Sequence, residues 1–161
     1  MKKLSAYLYG FLLVGLTSAV AGWFTRIGLG EWYGGLPRPF LTPPDSVFPV
    51  VWTILYIAMA LSFGRYLNSE FPSADTGGKT LFFVQLLLQI AWCYAFFAKG
   101  LIGMAFFIIV ILDYAVYKLI QNFTRVDKYA AWLLYPYFWW LAFATFLNFN
   151  YAYTYGLQIF F

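Results

Sequence analysis

The sequence predicts an all-α integral membrane protein, a five-transmembrane-helix bundle with a proline-rich first loop acting as a lid. Three observations carry this. Hydrophobic residues fill 63% of the 161 positions and charged residues 10%, whereas globular domains run to roughly 45–50% apolar and about 25% charged. A domain of this length leaves much of its area exposed and has no interior large enough for that apolar content, so soluble, disordered and nucleic-acid-binding classes are excluded. The charges are spaced so as to leave five long apolar stretches, each at least as long as the roughly 17–25 residues that cross a bilayer. Prolines gather between the first two stretches.

The first stretch, Leu4 to Thr25, lies between Lys3 and Arg26 and predicts a helix over 4–25. Its small residues at four-residue spacing, Gly15/Ala19 and Ser18/Gly22, fit close helix–helix contact. Lys2-Lys3, the apolar run and Ala19-Val20-Ala21 also resemble a cleavable leader, but the run is longer than a leader core and is read as a retained helix. Gly28 to Pro44 is too irregular to cross lipid unprotected, and Pro37, Pro39, Pro43 and Pro44 stiffen it and suppress helix. Ser46–Gly64 is uncharged and predicts the second helix, 46–66, with Pro49 in its first turn, where a missing N–H does little harm. After the polar turn Asn68–Gly78 comes the third helix, 80–98. Lys99-Gly100 leaves room only for a tight antiparallel turn into the fourth, 100–122, which is interrupted by Asp113 and Lys118. Asn122–Lys128 leads to the fifth, 129–150, which Pro136 should kink. Residues 1–161 form one domain.

Orientation follows from the basic residues, which favour the cytoplasmic side. With the N-terminus inside, Lys2, Lys3, Arg65, Lys79, Lys118, Arg125 and Lys128 face inward, and Arg26, Arg38 and Lys99 face outward. An N-in, C-out arrangement is favoured, which puts the first loop outside.

Conventional catalytic chemistry is missing. There is no histidine, which removes His-ligated metals, His-ligated haem and His-based triads. Cys93 stands alone, so neither an intramolecular disulfide nor a zinc spacing exists. No nucleophile elbow, phosphate loop or carboxylate pair is present. Asp113 is the acid deepest within a span. Burying it in lipid is costly, so proton or substrate coupling stands beside a plain structural contact, with Lys118 little more than a turn away. The 7 Trp, 14 Tyr and 19 Phe exceed what interfacial belts require. Gln89 and Trp92 share a helix face, as do Trp140, Ala144 and Leu147, and a small residue between large ones leaves a notch for a flat ligand. Spacing alone fits belt and packing roles better.

Trp32–Pro44 reads WYGGLPRPFLTPP and Val47–Met59 reads VFPVVWTILYIAM. This resembles the signature of the TspO/MBR family, which comprises the translocator protein (peripheral benzodiazepine receptor) and the bacterial tryptophan-rich sensory proteins. Gln85–Phe97 (QLLLQIAWCYAFF) and Trp132–Asn148 (WLLYPYFWWLAFATFLN) are similar to the family's third and fifth helices. The resemblance covers about four-fifths of the chain. It implies a ligand pocket built from Trp32, Tyr33, Pro43 and Pro44 of the loop, Trp52 of helix 2, Gln89 and Trp92 of helix 3, and Trp140, Ala144 and Leu147 of helix 5. The implied ligands are porphyrin, haem and isoquinoline- or benzodiazepine-type compounds, with no required cofactor and no metal site. Trp52 and Trp140 match tryptophans implicated in light-dependent porphyrin breakdown. A homodimer in a bacterial cell envelope is also implied, and Ala60/Gly64 and Ala91/Ala95 offer small-residue faces for a neighbour or for the bundle itself.

Three departures from the family pattern stand out. Gln89 replaces the usual Asn, which moves the amide by one methylene. Arg38 and Leu41 stand where Lys and Trp are common. No Lys or Arg follows Lys128, so the C-terminal cholesterol motif of animal members is absent; Leu112-x-Tyr114-x3-Lys118 is only a weak match. The leading expectation is a membrane receptor or sensor for tetrapyrroles. The alternatives are a porphyrin-degrading enzyme using Trp52 and Trp140, and a small-molecule transporter with Asp113 as coupling acid.

Overall fold

The computed structural model describes residues 2–31, 33–38, 41–69 and 77–155. These residues contain five helices long and apolar enough to cross a bilayer, and no strand is found among them. The first helix, α1 (Lys2–Glu31), is 30 residues long, or about 45 Å at 1.5 Å per residue. That is longer than the roughly 30 Å hydrocarbon core, and its last turn leads directly into the lid. A 3-10 turn (Tyr33–Gly35) follows, then α2 (Val47–Leu67), α3 (Gly78–Cys93), α4 (Ile102–Val126), a short α5 (Lys128–Trp132) and α6 (Tyr135–Tyr155). The expected helix 129–150 is thus two helices in one span. Pro136 has no N–H to give the carbonyl four residues back, and it disfavours helix at the residue before it. The chain therefore turns at Leu133-Leu134, with Leu134 N–H donating to the Ala131 carbonyl at 3.0 Å. Asp127 caps α5, accepting from the N–H of Tyr129 (2.8 Å) and Ala130 (3.2 Å). It also pairs with Arg65 of α2 at 2.8 Å.

The third span ends differently from expectation. Tyr94–Ala98 widens into a π-helical turn, closed by Lys99 N–H to the Tyr94 carbonyl at 3.1 Å and Leu101 N–H to the Ala95 carbonyl at 2.8 Å. Gly100 takes φ 65°, a left-handed conformation that glycine adopts without steric cost, and this reverses the chain into α4.

Two cores stack along the bundle. One is built around Met59, Phe63, Phe82, Leu119 and Phe123, with Phe63 on Phe82 at 3.9 Å and Tyr66 on Phe123 at 4.0 Å, both nearly parallel. The other holds Ala21, Trp92, Phe96, Ile102, Ile109 and Tyr151, on the lid side. Helix α1 is clamped at two points. A Cβ on Gly10 would meet the Ala60 carbonyl oxygen at 2.7 Å, and one on Gly28 would meet the Phe97 carbonyl oxygen at 2.5 Å. Ala60 and Gly64 therefore serve contact within the bundle, Gly64 against the Tyr7 ring. Gly15 and Gly22 meet nothing within 4 Å, so contact falls on other glycines than the expected Gly15/Ala19 and Ser18/Gly22 pairs.

Candidate functional site

Between its two clamps α1 stands away from α2, and the space left is a cavity of about 420 Å³. The α1 wall is a stripe of small and polar residues at helical spacing, namely Ser18, Gly22, Thr25, Arg26 and Leu29. Facing it are Phe48, Trp52 and Tyr56 of α2, Gln89, Trp92 and Cys93 of α3, Phe97 of the π turn, and Trp140 and Ala144 of α6. Ala21 and Ala144 leave notches between the larger side chains. Trp52 packs against both cores and is held by a stacked contact with Tyr56 (5.4 Å) and an edge contact with Tyr137 (6.2 Å). Trp92 is fixed more firmly. Its indole N–H donates to Asn148 Oδ1 at 3.0 Å, and the Asn148 amide donates to the Ile102 carbonyl at 3.0 Å. Trp140 rests edge-on against Phe48 at 5.9 Å.

The lid is fastened by its own residues. The Tyr33 ring touches Phe97 at 5.4 Å and Tyr151 at 5.7 Å, and Tyr151 donates to the Tyr33 hydroxyl at 3.3 Å. Tyr155 donates to the Pro37 carbonyl at 3.2 Å. Arg38 and Asp45 pair at 2.6 Å, and the hydrogen bond and charge of Asp45 raise the Arg38 pKa further above its ordinary value. Leu41 takes φ 74°, a conformation that costs a non-glycine residue about 1–2 kcal/mol.

Of the residues the resemblance implied, Tyr33, Trp52, Gln89, Trp92, Trp140 and Ala144 meet around this cavity. Trp32 lies outside the described residues. Pro43 and Pro44 do not line it; the Pro44 carbonyl instead accepts from Val47 N–H at 3.0 Å and starts α2. Leu147 is buried beyond Ala144 and off the wall. Asp113 is off it too. It accepts from Thr145 Oγ at 2.6 Å across the α4–α6 seam, while Lys118 lies over the Tyr114 ring at 5.6 Å instead of pairing with it. Sequence reasoning missed Arg26, Thr25, Phe48 and Phe97. The α1 residues carried a readable signal, a small-polar stripe at three- and four-residue intervals.

Comparison with known proteins places this architecture. Residues 10–154 match the model of the TspO/MBR family. The tryptophan-rich protein TspO of Chlorobaculum tepidum is 35% identical over 148 residues, covering 86% of this chain and 90% of that protein. TspO of Archaeoglobus fulgidus is 34% identical, covering 91% of this chain and 93% of that protein. The human translocator protein is 36% identical over 127 residues, covering 74% and 72%. With five apolar spans in the family's order and a match along nearly the whole chain, this multi-pass integral membrane protein belongs to the TspO/MBR family.

Proposed function

We propose that the protein is a receptor or sensor that binds tetrapyrroles, and flat isoquinoline- or benzodiazepine-type compounds, in the cavity under the lid. The observation that carries this is a cavity of about 420 Å³ walled by three tryptophans with alanine and glycine notches between them. Ligand sites of roughly 300–1,000 Å³ are mostly apolar, with a few placed polar groups. Here those are Gln89 in the depth and Arg26 at the rim. The ion pairs among the described residues are Arg38–Asp45 and Arg65–Asp127, which leaves Arg26 free to meet a ligand carboxylate. Haem enters as a ligand, and without histidine its iron gains no imidazole, so metal-free protoporphyrin IX should bind about as well as haem.

The test is quenching of tryptophan fluorescence by protoporphyrin IX in detergent, in the dark and then illuminated. Saturable dark quenching near micromolar supports the reading; quenching that never saturates refutes it. A second reading, light-dependent porphyrin breakdown, is favoured by Trp52 and Trp140 both reaching the cavity. Replacing both with Phe should then abolish light-driven spectral change and leave dark binding largely intact. Persistence of the change in that variant would assign it to free-solution photochemistry.

A further inference from the structure

Behind the cavity wall, three enclosed polar side chains form a connected set. Gln85 and Tyr137 are 0% exposed and Gln89 1%, and Gln89 alone of the three reaches the cavity. The Tyr137 hydroxyl lies 2.9 Å from Gln85 Oε1 and 3.2 Å from Gln89 Oε1. A phenol has one proton and serves one acceptor at a time. Gln85 Nε2, meanwhile, is buried with no hydrogen-bond partner. The two ends of a primary amide have nearly the same shape, so which is O and which is N follows from the bonds around it. Turning the Gln85 amide end for end resolves both conflicts. Its Nε2 then donates to the Tyr137 oxygen, and the phenol proton goes to Gln89 Oε1. Turning Gln89 instead leaves Gln85 Nε2 still unpaired, and buried orphan N–H groups are rarer than under-used carbonyls.

We infer that Gln85 and Tyr137 set the polarity of the Gln89 amide, so that the cavity presents Gln89 Nε2 as a donor and selects flat aromatic ligands with a hydrogen-bond acceptor at their buried edge. The inference rests on the cavity being a site for flat aromatic molecules. In the present structure Nε2 faces Cys93 Sγ at 4.0 Å, a weak acceptor that a carbonyl oxygen or unprotonated ring nitrogen would outcompete, and the Tyr56 hydroxyl also hydrogen-bonds the Gln89 side chain at the cavity wall. A ligand N–H at the same place would meet donor with donor. Gln85 and Tyr137 are positioning residues, acting through Gln89 along a chain whose bonds polarise one another.

Three probes of nearly one shape read this polarity: 9-fluorenone carries an acceptor, fluorene neither group, and carbazole a donor. Binding to the full-length protein in detergent, followed by equilibrium dialysis, should favour fluorenone over fluorene by about two- to tenfold, the worth of one net hydrogen bond, with carbazole weakest. Tyr137→Phe removes only the hydroxyl; it should collapse the fluorenone preference and raise carbazole to the level of fluorene, leaving fluorene within about twofold. A purely structural role would weaken all three together. Gln85→Leu should shift the same ratios, and it decides the matter if Tyr137→Phe does not fold. Equal binding of all three probes by the wild type, or ratios unmoved in the variants, would overturn the polarity and leave the cavity reading standing. Absence of saturable binding for every probe would overturn both.

Discussion

Arg26 closes a polar stripe on α1 and has no ion-pair partner among the described residues. Its worth to the protein should therefore appear with ligand present and not in the fold. Arg26→Gln is expected to leave thermal stability unchanged and to weaken protoporphyrin IX several-fold, while binding of the dimethyl ester stays as it was; fluorescence titration of both ligands on both proteins checks this. Asp113 presents the opposite case. One carboxylate oxygen accepts a hydrogen bond from the Thr145 hydroxyl and the other is enclosed with no partner, all away from the cavity wall. Asp113→Asn should accordingly leave porphyrin affinity within about twofold. If uptake into vesicles is observed and this variant abolishes it, Asp113 has a coupling role after all. Buried carboxyls inside spans mark function often, but here the acid and the cavity occupy different seams.

At the scale of elements, the contacts of α1 divide its glycines into two classes. Gly28→Val would push a side chain into the Phe97 backbone, which cannot step aside, and should cost about 1–3 kcal/mol by overpacking. Gly15→Ala meets open space and should stabilise by a few tenths of a kcal/mol or more, since glycine inside a helix costs roughly 0.5–1 kcal/mol relative to alanine. Thermal unfolding in detergent would separate the two. Asp127→Ala removes both the α5 cap and the partner of Arg65; loss of the cap alone costs about 0.5–2 kcal/mol. The spans themselves were legible because charge is so expensive in hydrocarbon that its absence marks them. Their details were less so. Pro136 announced a disturbance, yet whether it bends or breaks a helix depends on what the neighbouring turn packs against. The π turn at Tyr94–Ala98 has no proline or glycine within it to betray it. The α1 stripe of Ser18, Gly22 and Thr25 reads identically as a packing face and as a cavity wall, and only the position of α2 separates the two.

For the whole molecule, the family resemblance brought six of the named site residues to one cavity, because motifs on α2, α3 and α6 converge on the lid side. It did not reach Tyr137 and Gln85, whose bond joins positions 52 apart and whose importance depends on a proton count no motif encodes. It did name Pro43 and Pro44, but these shape the lid from outside the cavity. The small residues Ala60 and Gly64 are spent on α1, so a homodimer, which the resemblance implied, would have to form through another face.

The stacked rings of Phe63, Phe82, Tyr66 and Phe123 have a consequence in time as well as in space. They lie face to face at the end opposite the lid, whereas the other end is built around the lined cavity and held by single tyrosine hydrogen bonds. Local opening takes least free energy where buried apolar contacts are fewest. Amide deuteration should therefore proceed as a gradient along the membrane normal, with the amides of Tyr33–Gly35 and Tyr94–Ala98 exchanging first and those around Phe63 and Phe123 last. A bound ligand should slow only the fast end.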